Sequence, residues 1–131
     1  MHVKIHNPAN PSEIVGSFPT ITPDHVPAIV ASARAAQRAW AKVPQPERGK
    51  LIDAFLDGLE KRQEDIAIAI TREMGKVINE ARGEVNKALG EGRATTRRAS
   101  APIGEVLPSQ RLGTVTYSTR RPRGVIVGIN P

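Results

Sequence analysis

The chain has 131 residues, a net charge of +6, 39% apolar residues, only 3% aromatics and no cysteine. Without a thiol these residues hold no disulfide framework, thiolate zinc site or cysteine nucleophile, and His2, His6 and His25 are too scattered to suggest a metal site. No run approaches the ~20 apolar residues of a membrane span and nothing matches a signal peptide, so the sequence predicts a cytoplasmic protein with neither metal nor membrane contact.

The length suits one domain. At the start, Val3 and Ile5 alternate with His2, Lys4 and His6, NPANP (residues 7–11) breaks the chain, and EIVGSFP follows. Asn and Pro initiate turns through side-chain bonding and a fixed φ, which predicts a hairpin of two short strands. A helix follows near Thr22. If Thr22 caps it, Pro23 is well placed at the first position but Pro27 removes a helical hydrogen bond. If Asp24 caps it, Pro27 is third and its missing N–H costs nothing. Val26, Ile29, Val30, Ala33, Ala36 and Trp40 share one face, and the helix stops before Pro44.

A second helix begins at Pro46, where Leu51, Ile52, Phe55, Leu56 and Leu59 form the clearest apolar stripe in the chain. A third covers about 64–74 with Ile66, Ile70 and Met74 at four-residue spacing, and Gly75 supplies its C-terminal stop. The fourth starts near Asn79, a good N-cap, and turns Ala81, Val85, Ala88 and Leu89 inward. Gly83, Gly90 and Gly92 weaken it by roughly 1 kcal/mol each relative to alanine, unless packing demands them. The four helices are predicted to pack through the 51–59 stripe with Trp40 nearby.

From Ala101 the pattern changes. Pro102, Gly104 and Pro108 mark a loop, and residues 114–119 alternate as a half-exposed strand outside the helical cluster. Pro122 and Gly124 break it, and residues 125–129 form an apolar run of the kind found in parallel strands buried on both faces. Two charged features invite a functional reading. Glu73 and Lys76 sit three apart at a helix end, where a solvated ion pair beside a helix stop is the simplest account. Arg93, Arg97 and Arg98 place two arginines at i, i+4, again a solvated face before an anion site. The positive charge permits nucleic-acid binding, yet the basic residues are not interleaved with the aromatics that stack bases, so nucleic acid is not the expected partner.

Several segments line up with one family. They are the opening NPA turn, the alanine-rich helix ending in Ala39-Trp40, the proline-flanked Glu47-Arg48 start, TREMGKVINEARGEV (residues 71–85) and RRPRGVIVGINP (residues 120–131). In this order and spacing they resemble the N-terminal part of an NAD(P)-dependent aldehyde dehydrogenase. The resemblance implies an α/β family fold, of which this stretch is mainly α-helical with an N-terminal β-hairpin and C-terminal strands. Residues 1–110 would be the hairpin and helical part of the cofactor-binding domain. Residues 111–123 would be a strand of the oligomerisation arm, through which a homo-oligomer forms. Residues 124–131 would be the first strand of the nucleotide-binding sheet, cut at the proline of its G-I-N-P turn.

The resemblance also implies NAD or NADP as cofactor and an aldehyde substrate. The 71–85 wording, with GEGR at 90–93, is similar to enzymes acting on semialdehydes such as 2-oxoglutarate semialdehyde. Ligands of open α/β sheets sit beyond the carboxyl ends of strands, so Ile129, Asn130 and Pro131 match cofactor-lining positions. No catalytic residue carries over. The family's catalytic asparagine lies two residues past the position of Pro131, and its cysteine nucleophile, general-base glutamate and G-S-T-x-x-G segment have no counterpart. The 131 residues alone are therefore expected to be inactive. A small basic helical module that binds nucleic acid or a partner protein is the alternative from a different class.

Overall fold

Residues 2–129 are described by a computed structural model. The NPANP segment turns the chain back on itself between β1 (His2–Asn7) and β2 (Asn10–Pro19). The strands pair antiparallel from His2 opposite Pro19 to Asn7 opposite Asn10, with register shifts on either side of His6. The turn closes as its sequence suggests: Asn7 Oδ1 accepts the Ala9 N–H at 2.9 Å. Asn7 Nδ2 donates to Glu13 at 2.9 Å.

A 3-10 turn (Pro23–His25) precedes α1 (Val26–Trp40). His25 N–H donates to Thr22 O at 3.0 Å, and Thr22 N–H donates back to His25 Nδ1 at 3.3 Å. This turn absorbs Pro23, and α1 starts only at Val26 with His25 as its cap. Pro27 thus falls in the first turn, where no N–H partner is lost. Neither Thr22 nor Asp24 caps the α-helix itself.

Three further helices follow, α2 (Gln45–Glu60), α3 (Gln63–Met74) and α4 (Ile78–Arg97). Gly75 ends α3 at φ 72°, the left-handed conformation expected of a C-terminal glycine. The start of α4 differs from expectation. Val77 caps it, its carbonyl accepting the Ala81 N–H at 3.1 Å. Asn79 lies inside the helix and accepts from Arg82 at 3.3 Å.

Leu56, Ala67, Ala81, Val85 and Leu89 form the buried core, with Leu59, Ile66, Ile70 and Ile78 packed against it. The core therefore belongs to α2, α3 and α4. Ala67 and Ala81 are wholly buried, and the small side chains let α3 and α4 approach closely. Two predictions of packing fail here. Of the 51–59 stripe only Leu56 is buried and Leu59 partly so, while Leu51, Ile52 and Phe55 lie open, Phe55 at 61% exposure. Helix α1 buries no residue, and Ala88 of α4 is exposed. An apolar stripe needs an opposing surface to be buried, and the described residues supply one only on the Leu56 side.

Polar pairs tie the elements together. Arg72 Nε of α3 donates to Glu13 of the hairpin at 3.0 Å. The bond from Arg72, and then that from Asn7, hold the Glu13 carboxyl below its ordinary range. Arg82 of α4 grips Glu64 of α3 through two bonds, at 2.9 and 2.6 Å, a geometry that suits the guanidinium fork; these bonds lower the Glu64 pKa.

After a second 3-10 turn (Arg98–Ser100) come β3 (Val106–Leu107) and β4 (Thr116–Tyr117), paired antiparallel. The predicted 114–119 strand is thus cut to two residues, and its partner comes from a segment read as loop. Residues 125–129 pair with no strand among the described residues. A parallel strand is held only by ladders to its neighbours and by covered faces, and neither is present here.

Candidate functional site

The chain reaches its last apolar run through Arg120-Arg121-Pro122-Arg123 and Gly124, whose φ of 93° turns the backbone. Residues 123–125 and Val127 share an open depression of about 380 Å³ with Val30, Arg34, Gln37 and Arg38 of α1. This places the run beside α1. Of the three positions matched to cofactor contacts, Ile129 is 93% exposed, and Asn130 and Pro131 lie outside the described residues.

A second depression, of about 560 Å³, lies where α2 begins and α4 ends. Arg48, Arg98, Arg120 and Arg121 line it together with Gln45 and Ile103. Gln45 Nε2 donates to the Arg98 carbonyl at 3.2 Å, fixing the first turn of α2 against the end of α4. The returning 120–122 segment supplies the other wall. Sequence reasoning singled out Arg98 but missed this convergence. The doublets at 97–98 and 120–121 were visible as charge, but only the packing of α2 on α4 brings Arg48 to them.

The other singled-out charges resolve into structure. Arg93 Nη2 donates to Asp57 at 2.7 Å and Glu60 at 2.6 Å, and these bonds raise its pKa. It clamps α4 to α2, and its charge is already met by two carboxylates. Beside it, Thr96 Oγ1 donates to Asp53 at 2.6 Å. Lys76 pairs with Glu84 of α4 rather than with Glu73. Among the described residues no group of three or more His, Asp or Glu side chains could hold a metal ion, and no helix is long and apolar enough to cross a membrane.

A hairpin leading into a helical cluster, followed by a pair of short strands and a basic turn into an apolar run, is the arrangement of the N-terminal segment of a larger α/β fold. The chain belongs to the aldehyde dehydrogenase family, whose sequence profile matches residues 1–131. It is 36% identical over 129 residues to the alpha-ketoglutaric semialdehyde dehydrogenase of Bacillus subtilis, covering 98% of this chain and 26% of that protein. Malonate-semialdehyde dehydrogenase 2 of Shouchella clausii is 36% identical over 127 residues, covering 97% and 26%. The crystal structure of the NADP-dependent glyceraldehyde-3-phosphate dehydrogenase from Bacillus halodurans, complexed with NADP, superposes with a TM-score of 0.79 at 30% identity. That match covers 88% of this chain and 24% of that one. The chain thus spans about a quarter of the length of the relatives it matches.

Proposed function

We propose that these residues are the N-terminal portion of an NAD(P)-dependent enzyme that oxidises an aldehyde, of the semialdehyde class, to a carboxylic acid. The observation that carries this is the agreement of two matches over nearly the whole chain. The family profile spans residues 1–131, and the helical cluster with its hairpin superposes on a dehydrogenase at a TM-score of 0.79. The semialdehyde class is supported by two relatives at 36% identity that bear that name.

In this proposal residues 1–110 form the hairpin and helical part of the cofactor-binding domain. Residues 111–123 lie in an arm that joins copies of the chain, and residues 124–131 enter the nucleotide-binding sheet in a cytoplasmic enzyme. Ile129, Asn130 and Pro131 then line the cofactor through backbone and van der Waals contact at a strand end. Bound NAD or NADP supplies the hydride acceptor. The part played by this stretch is support: α2, α3 and α4 form a packed block, and the apolar run lies beside α1. Cysteine is absent from the sequence, so the thiolate that attacks the aldehyde in this family comes from elsewhere in the enzyme.

A chimera tests the proposal. The matched segment of the Bacillus subtilis enzyme is replaced by this chain and the purified product is assayed with 2-oxoglutarate semialdehyde and with malonate semialdehyde. NADH or NADPH formation is expected from the chimera and none from the 131-residue chain alone. A soluble, folded chimera that reduces neither cofactor with either substrate would overturn the proposal.

A further inference from the structure

We propose that the depression lined by Arg48, Arg98, Arg120 and Arg121 is a docking surface for an acidic polypeptide segment. The first ground is charge. Arg72, Arg82 and Arg93 each have a carboxylate partner, yet no carboxylate among the described residues pairs with any of the four arginines here. Lys+Arg number 19 against 13 Asp+Glu, and the chain concentrates part of that excess in one concave place. Four arginines lining one depression place like charges near one another, a repulsion that an anion bound there would offset.

The second ground is the chemistry of the lining. All the cations are arginine and none is lysine, and Pro102, Ile103 and Pro122 line the depression with them. Arginine set among apolar groups is the composition of protein interfaces, from which lysine is depleted. Its planar fork takes a carboxylate through two parallel bonds. Stacking platforms for single-stranded nucleic acid need aromatic rings, and none lines the depression. A bilayer presents a broad surface to basic patches, which a concave site set between α2 and α4 meets poorly. An acidic segment with interspersed apolar residues satisfies both the guanidinium groups and Ile103.

The position of these arginines gives the surface a simple test, because none of them belongs to the buried core. A short fluorescein-labelled peptide in which glutamate alternates with leucine and serine is titrated with the full chain, and anisotropy is read at moderate and high salt. The Arg98→Gln/Arg120→Gln variant is expected to bind about tenfold more weakly, with unchanged helical content. Arg121→Glu, in a segment outside the helices, is expected to give a similar loss. Lys61→Gln/Arg62→Gln removes the same charge from the exposed α2–α3 connection and is expected to change affinity less than about twofold. The proposal fails if the control weakens binding as much as the arginine variants, since net charge alone would then explain it. It fails equally if a single-stranded DNA oligonucleotide or phosphatidylserine vesicles bind more tightly than the peptide, or if the peptide does not bind at moderate salt. None of these readouts depends on dehydrogenase activity, so the outcome stands apart from the enzymatic proposal.

Discussion

Helix α4 carries Gly83, Gly90 and Gly92, and the three are not equivalent. A Cβ at Gly83 or Gly90 would meet nothing within 4 Å. At Gly92 it would lie 2.8 and 3.1 Å from the two methyl carbons of Leu56, a side chain only 6% exposed and held among Val85 and Leu89. Gly83→Ala and Gly90→Ala are each expected to stabilise the chain by about 0.5–1 kcal/mol, through helix propensity and a less flexible unfolded state. At Gly92 the same gain is set against overpacking of about 1–3 kcal/mol, so Gly92→Ala is expected to lower the urea midpoint. A rise in midpoint at Gly92 comparable to that at Gly90 would mean that α2 and α4 do not cross there. Sequence alone gives all three glycines the same helix penalty. Only the crossing of α2 and α4 separates the one that is needed from the two that are not.

At the scale of elements, periodicity located the helices better than it located the core. The order of a hairpin and four helices follows from the NPANP turn, Gly75 and the proline breaks at Pro44 and Pro46. The contacts do not follow, because a stripe tells which face of a helix is apolar and not what covers it. The strongest stripe, Leu51 to Leu59, is open at Leu51, Ile52 and Phe55. The most deeply buried residues are Ala67 and Ala81; the spacing of α4 marked Ala81, but nothing in the α3 stripe marked Ala67. Helix α1 shows the difference most clearly, since its apolar face is regular in sequence yet buries no residue. An isolated helix of this length is marginal in water unless packing supports it. Native-state hydrogen exchange should therefore divide the chain. Amides of α3 and α4 are expected to exchange slowly, near the rate set by global unfolding, and amides of α1 orders of magnitude faster. Equal protection of α1 and α4 would show that α1 is docked more firmly than its exposure indicates.

For the molecule as a whole, the family was legible where the local structure was not. RRPRGVIVGINP carries the resemblance through residue identity and order, which survive whether or not the segment finds strand partners. Its conformation depends on partners, and among the described residues it has none. Val125 is half-buried beside α1, whereas Ile126 and Val127 are 80% and 74% exposed. Single exposed apolar residues are ordinary, but a continuous run of them is a surface made for contact. If the run contributes association and not stability, removing it separates the two. A chain ending at Arg123 is expected to unfold within about 2 °C of the full chain when followed by far-ultraviolet circular dichroism, because the core of Leu56, Ala67, Ala81, Val85 and Leu89 is untouched. The same truncation is expected to reduce both the binding of an apolar fluorescent dye and concentration-dependent association. A fall in the melting temperature of several degrees would instead show that the run braces α1 against the helical block. The segment would then be part of the fold's support.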